Sequence, residues 1–235
     1  MAESVIERSM NTFAFTLGGA DLSALGSGAL HWPRERLLVV SDLHLGKPDR
    51  VARLGGTLLP PYANRDTLLR LEQEIERTRA ATVICLGDSF DDPQSAEDLP
   101  KAEALWLTRL MAERRWIWIA GNHDPIPSGL GGSYLASFRL NGLVFRHIAD
   151  PGQSGEVSGH YHPKVRLGSA RPCFLIDASR AILPAFGTYT GGLACTSPVL
   201  SDLMGPGARA VLTGNAPLVV PMPRAAPNPK APAAP

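Results

Sequence analysis

Four apolar runs in this chain end alike, and that regularity limits the fold more than any other feature. "VVSDLH" (39–44), "ICLGDSFDD" (84–92), "WIAGNHD" (118–124) and "EVSGHYH" (156–162) each pass from strand-like residues to polar side chains able to hold a cation. Between the first three lie two amphipathic stretches. In "DTLLRLEQEIERTR" Leu68, Leu71 and Ile75 recur at helical spacing, with Asn64 or Asp66 as the expected N-cap. "PKAEALWLTRLMAERR" reads as a second helix, with Pro100 suited to its first turn and Arg114 and Arg115 to the C-terminal dipole. Strands alternating with helices imply right-handed βαβ units, and near-continuous apolar strands imply a sheet covered on both faces. The carboxyl ends of such strands form the crevice where ligands bind, so the four endings are expected to meet.

The flanking regions are richer in strand. "FAFTL", "GALHW" and "RLLVV" read as strands in residues 11–40, and "KPDRVARLGGTLLPPYAN" as an irregular loop of functional length. After residue 130 short β pieces ("SYLASFRL", "LVFRHI", "EVSGH", "KVRLG", "PCFLIDA", "AILPAF") follow with little helix, and are expected to form a second sheet packed on the first. From Asn215 the chain is rich in Pro and Ala, giving the expectation of one domain over 1–214 and a disordered tail over 215–235. At 235 residues and 44% hydrophobic content the chain can bury the core of a single large domain.

In the first run, Asp42 and His44 stand at i and i+2, which in an extended segment places both side chains on one face. A Gly precedes each of Asp88, Asn122 and His160, where a sharp turn and close backbone approach are required. Five of the six histidines (His44, His123, His147, His160, His162) fall at or near such ends; His31, in "ALHWP", reads as an ordinary core-edge residue. Two divalent cations could be housed, one by Asp42, His44, Asp88 and His162, the other by Asp88, Asn122, His147 and His160, with Asp88 shared. Mixed imidazole and carboxylate donors suit manganese, with zinc or iron as alternatives, better than calcium or magnesium. Cys85, Cys173 and Cys195 offer no Cys-x-x-Cys spacing and read as core thiols.

"DLH", "GDSFDD", "GNHD" and "GHYH", in this order, resemble the signature of the calcineurin-like metallophosphoesterases. The resemblance implies an α/β four-layer αββα sandwich of two mixed β-sheets flanked by helices. It also implies two divalent metal ions and phosphoester hydrolysis, with a lone His between "GNHD" and "GHYH", here His147, as a ligand. A narrower similarity, carried by "SDLHLGK", "GGTLLPPYANRDTLLRL", "GHYHPKVRL" and "LPAFGTYTGG", is to the ligase-associated DNA damage response endonucleases of the PdeM type. It implies DNA as substrate and association with a DNA ligase and a helicase.

His123, next to Asn122 but unassigned to a metal, suits a general acid that protonates the leaving alkoxide, and the family implies the same role. Asp124 is expected either to orient that ring or to cap the turn before Pro125. Asp91 and Asp92 read as outer residues of the site, and Tyr161 as a packing residue pointing away from it.

A net charge of +1 and a pI of about 7.8 lack the strongly basic balance of a dedicated nucleic-acid-binding domain. Any polyanion contact is then local, at Lys47, Arg50 and Arg53 or at Lys164, Arg166 and Arg171, unless these are merely solvated surface. Three functions follow: a metal-dependent phosphodiesterase acting on DNA, a phosphoesterase acting on a nucleotide or other small ester, and a non-catalytic scaffold on the same fold. The Gly-x-Ser-x-Gly elbow and the P-loop pattern are both missing from the sequence. A polar N-terminus and the lack of long apolar runs give the expectation of a cytoplasmic protein without membrane association.

Overall fold

A computed structural model describes residues 12–57, 59–124, 129–216 and 218–225. A Gly18–Gly19 turn joins β1 (Thr12–Leu17) to β2 (Ala20–Leu25), and β3 (Leu30–Trp32) and β4 (Leu37–Val40) extend this antiparallel start. The chain then crosses through α1 (Lys47–Arg53) and α2 (Ala63–Thr78) to β5 (Thr82–Leu86). A second crossing, α3 (Pro93–Glu97) and α4 (Lys101–Met111), leads to β6 (Arg115–Ile119), and β7 (Ser133–Leu135) follows. β4 to β7 are mutually parallel, and the seven strands lie side by side in chain order.

The second sheet takes β8 (Ser137–Leu140), β9 (Leu143–Arg146), β10 (Glu156–Ser158), β11 (Lys164–Leu167), β12 (Ser169–Ile176) and β13 (Arg180–Ile182). After α5 (Pro198–Leu203) it adds β14 (Arg209–Leu212) and β15 (Leu218–Pro221). Its order is β15-β14-β12-β13-β10-β9-β8 with β11 on β12; β9, β10 and β13 are parallel and the other pairs antiparallel.

β4 explains the layering. Its four residues are all buried, Leu37 and Val39 on the face toward the second sheet, Leu38 and Val40 toward the helices. Between the sheets Phe15, Val39, Ile84 and Ile117 meet Phe145, Val157, Phe174 and Leu183. Outside the first sheet Leu68, Leu71 and Ile75 of α2 and Leu107 and Leu110 of α4 cover Val83, Cys85 and Trp118. Leu200 of α5 covers Leu175, Ile182 and Leu212 on the far face of the second. Each fully buried aliphatic chain contributes roughly 1.5–3 kcal/mol. The result is the expected αββα sandwich, and no helix among the described residues is long and apolar enough to cross a membrane.

Several local expectations are corrected. The loop after Gly46 begins as a helix, because Gly46 turns at φ 81° and Pro48 sits in the first turn with its φ already helical. Neither Asn64 nor Asp66 caps α2, whose N-cap is Tyr62; tertiary partners claim both, Asn64 accepting the Gly46 N–H at 2.9 Å and Asp66 binding Arg70 and Thr188. Arg114 does satisfy the end of α4, donating to the Leu110 carbonyl at 2.9 Å, but Arg115 opens β6. β2 is a strand where none is expected, and β7 joins the first sheet although it falls after residue 130.

The chain also stays in the fold past residue 214. β15 pairs with β14 as an edge strand, where a terminal Pro221 removes no needed ladder bond, and Met222 is buried with its N–H on the Ala208 carbonyl at 2.9 Å. Residues 215–225 therefore do not form the expected tail in their described part; 226–235, like the N-terminal stretch 1–11, lie outside the described residues. All three cysteines are buried free thiols, as expected.

Candidate metal centre

The turns after β4, β5, β6, β9 and β10 bring the polar endings together, but not by continued extension. Asp42 and His44 have φ of 53° and 46°, Asp88 46°, His160 70° and His162 45°. Left-handed backbone at a non-glycine residue costs on the order of 1 kcal/mol, and Asp and His tolerate it better than most. The i, i+2 alignment of an extended strand is thus replaced by alternating left-handed turns. They are held by hydrogen bonds between the loops: the N–H groups of Asp42, His44 and Leu45 donate to the carbonyls of Gly87, Asp88 and Ser89 at 3.2, 3.0 and 2.9 Å. Close approach fixes the glycines: a Cβ at Gly121 would lie 2.2 Å from Asp88 Oδ1, and one at Gly159 would lie 1.7 Å from Ser41 Oγ.

Two groups of donor atoms result. In the first, Asp42, His44 and His162 place one ligand atom each within 4.8 Å of the others, and Asp42 Oδ1 stands 3.1 Å from His162 Nε2. His44 Nδ1 bonds Asp91 Oδ1 at 2.7 Å, which places the ring proton there and leaves the Nε2 lone pair facing the group. Asp42 Oδ1, His44 Nε2 and His162 Nε2 are all buried with no hydrogen-bond partner. Three converging buried polar atoms that lack a well-formed hydrogen bond are costly in a bare protein and suited to a cation.

In the second group Asp88, His147 and His160 converge in the same way. His147 donates through Nδ1 to the Leu86 carbonyl at 2.7 Å, so its Nε2 faces Asn122 Oδ1 at 2.9 Å, His160 Nδ1 at 3.2 Å and Asp88 Oδ2 at 3.4 Å. Burial pushes the His147 pKa down, but Asp88 and Asp42 outweigh it and hold the ring above its ordinary value. A proton there does what a cation would do between two carboxylates. Burial, aided by His147, lowers the pKa of His160 and keeps its lone pair available. For Asp88, burial is overcome by the bond from His147 and by the His123 amide, so its carboxyl stays well below the usual range. The donor set fits divalent metals at both groups.

His123 belongs to neither group. Its N–H donates to Asp88 Oδ1 at 2.9 Å, its Nδ1 faces the Asp91 carbonyl at 3.0 Å, and its ring meets that of His44 edge-on at 5.5 Å. Asp124 does not orient it: Asp124 Oδ2 accepts the Ser89 and Phe90 amides at 2.7 and 3.0 Å, and Pro125 lies outside the described residues. Burial pushes the Asp124 carboxyl up to about 7.

Asp91 links the site to α1 through Arg50 at 3.0 Å, and Arg53 pairs with Asp92 at 2.7 Å, so this basic stretch is largely neutralised. Arg171 is likewise spent on the Thr213 carbonyl at 2.6 Å. Tyr161 packs beside the α5 core, as expected, and His31 lies in β3 away from both groups. Two supports escape sequence reasoning, the Ser41 hydroxyl on Asp42 Oδ2 and Asn64 on Gly46, because a lone Ser or Asn carries no spacing signal.

The model of the calcineurin-like phosphoesterase family matches residues 35–177, and the chain belongs to that family. Together with the two donor groups, this makes the protein a metal-dependent phosphoesterase. Among solved structures it is similar to the Pseudomonas putida nuclease MPE, with 27% identity, a TM-score of 0.69, and coverage of 88% of this chain and 100% of that one. No curated protein matched it.

Proposed function

We propose that the protein is a dinuclear phosphodiesterase that cuts DNA, resembling the PdeM-type endonucleases. Asp42, His44 and His162 would hold one ion and Asn122, His147 and His160 the other, with Asp88 between them. The observation that carries this is the pairing of two adjacent groups of inward-facing donor atoms with a histidine that belongs to neither. Manganese is the expected metal, zinc or iron the alternatives. DNA is supported by the likeness to a nuclease.

When bound, such ions supply Lewis-acid charge for the phosphoryl oxygens and acidify an attacking water. The protein's own residues do the rest. Asp91 and the Leu86 carbonyl occupy Nδ1 of His44 and of His147, so that Nε2 of each is the atom turned toward its donor group. His123 is positioned by its amide on Asp88, while the Asp91 carbonyl takes its Nδ1–H. Its Nε2 then carries the proton delivered to the leaving alkoxide, and the same carbonyl stabilises the imidazolium.

The test is hydrolysis of bis-p-nitrophenyl phosphate and of single-stranded or nicked DNA, with manganese and with EDTA. Cleavage of both with manganese and of neither with EDTA supports the proposal. A second reading, action on a nucleotide or small ester, is favoured by the net charge of +1 and by the neutralised Lys47–Arg53 stretch. Cleavage of the small ester alone would establish it and discard DNA.

A further inference from the structure

Outside the donor groups, one exposed feature is attached to them by the backbone. The loop from Gly187 to Leu193 is anchored at both ends on ligand-bearing turns: the Gly187 N–H donates to the Asp42 carbonyl at 3.0 Å, and the Leu193 N–H to the Tyr161 carbonyl at 3.0 Å. A Cβ at Gly192 would fall 2.1 Å from the His162 carbonyl oxygen, so the loop lies directly on that turn. Its base is fixed by Thr188, which bonds Asp66 at 2.6 Å and accepts from Arg70 at 3.0 Å.

From this anchored loop Tyr189 projects outward. It is 44% exposed and has φ 60°, an unfavourable conformation for an aromatic residue. Tyr62, 56% exposed at the start of α2, stands beside it: the hydroxyls are 3.1 Å apart, the ring centroids 6.5 Å, and the planes 60° from each other. Two large exposed rings are thus held in fixed relation to each other. The adjoining cation is Lys164, whose Nζ donates to the Thr190 carbonyl at 2.9 Å and makes no ion pair among the described residues. Arg166, two residues along β11 and therefore on the same face, is exposed. Unlike Arg50 and Arg53, neither charge meets a carboxylate among the described residues.

We propose that Tyr189 and Tyr62 form a stacking platform for one base of a single-stranded nucleic acid, with Lys164 meeting the adjoining phosphate, and that the strand runs from there to the Asp42–His44–His162 group. The inference rests on the nuclease reading above and adds where the strand lies. Every base offers a face to a ring and every nucleotide a phosphate to an ammonium, so the platform binds without reading sequence.

The test compares a thymidine oligomer with the same oligomer carrying abasic sugars at successive positions, using manganese-loaded full-length protein. Wild-type protein is expected to prefer the intact oligomer at one position by about tenfold in kcat/KM, the size of one stacked base. Tyr189→Ala loses that preference and Tyr189→Phe keeps it. Lys164→Ala is expected to reduce the slope of log KM against log salt by about one. If Tyr189→Ala still discriminates as the wild type does, or if intact and abasic oligomers lose activity equally, the ring only supports the loop and the platform is wrong. Wild-type protein that hydrolyses bis-p-nitrophenyl phosphate but spares every oligomer overturns the nuclease reading, and the platform with it.

Discussion

The two donor groups are built from the same residue types but sit in different surroundings. In the first, Asp42, His44 and His162 offer atoms that are all shut off from water, and the group is supported from behind by Ser41, Asp91 and Arg50. In the second, His160 is half-buried, as His162 is in the first, but Asn122 is exposed, and a hollow of about 380 Å³ opens beside Asn122 and His147 toward Arg146 and Ile148. One group is enclosed and firmly supported, whereas the other borders open space. The difference teaches that a symmetric-looking ligand list can divide into a group shut inside the scaffold and a group that borders open space. Asn122 and His123 make the division sharp: chain neighbours, they turn to opposite groups, Asn122 to His147 and His123 to His44.

Asp88 lies in the second group and is the carboxylate proposed above to serve both ions, so its loss is the largest expected effect. Asp88→Ala should lower hydrolysis of both the small diester and DNA on the order of 10³-fold or more, with metal content falling in elemental analysis. Full metal occupancy with normal turnover would separate the two groups altogether. His123→Ala comes next. It should leave metal content intact and cost about 10²–10⁴-fold on DNA, whose alkoxide needs a proton, with a much smaller loss on bis-p-nitrophenyl phosphate, whose leaving group does not. Equal losses on the two substrates would assign His123 to metal binding or positioning.

How much of this is legible in the sequence depends on how locally each feature is encoded. The βαβ half is legible because apolar strands such as "TVICL" of β5 carry their burial in their own composition, and so are the donor residues, since each follows a strand. Asp42 and His44 do converge, but not for the reason an extended segment suggests: their left-handed turns depend on carbonyls of the loop after β5, which no local pattern reports. β2 is hidden because "ADLSAL" has few β-branched residues and is a strand by virtue of pairing with β1 and β3. β15 is masked by surrounding prolines, which an edge strand tolerates. Asp91 is recognisable as a nearby acid, but its grip on His44 spans 47 positions and emerges only in three dimensions.

Asp91 gives the next prediction. Asp91→Asn keeps the shape and removes the charge behind His44, so it should weaken one of two metal sites by about 10- to 100-fold in a calorimetric titration and leave the other unchanged. Equal weakening of both sites would mean that the groups act as one unit, and the contrast between an enclosed and an open ion would fail.

The smallest expected effect comes from a residue that touches no donor atom. Asn64 reaches from α2 to accept the Gly46 N–H, two residues after His44, and both groups are buried. Asn64→Ala leaves that N–H without a partner in a place water does not fill, at a cost of about 1–3 kcal/mol. For a chain of this size that corresponds to a melting temperature lower by roughly 2–4 °C per kcal/mol, readable by calorimetry. Because the loop carrying His44 is what Asn64 supports, the enclosed ion should also bind more weakly while the second site keeps its affinity. A fall in stability with both sites unchanged would show that the His44 turn is held by its bonds to the β5 loop alone, and that the support behind the first group stops at Asp91.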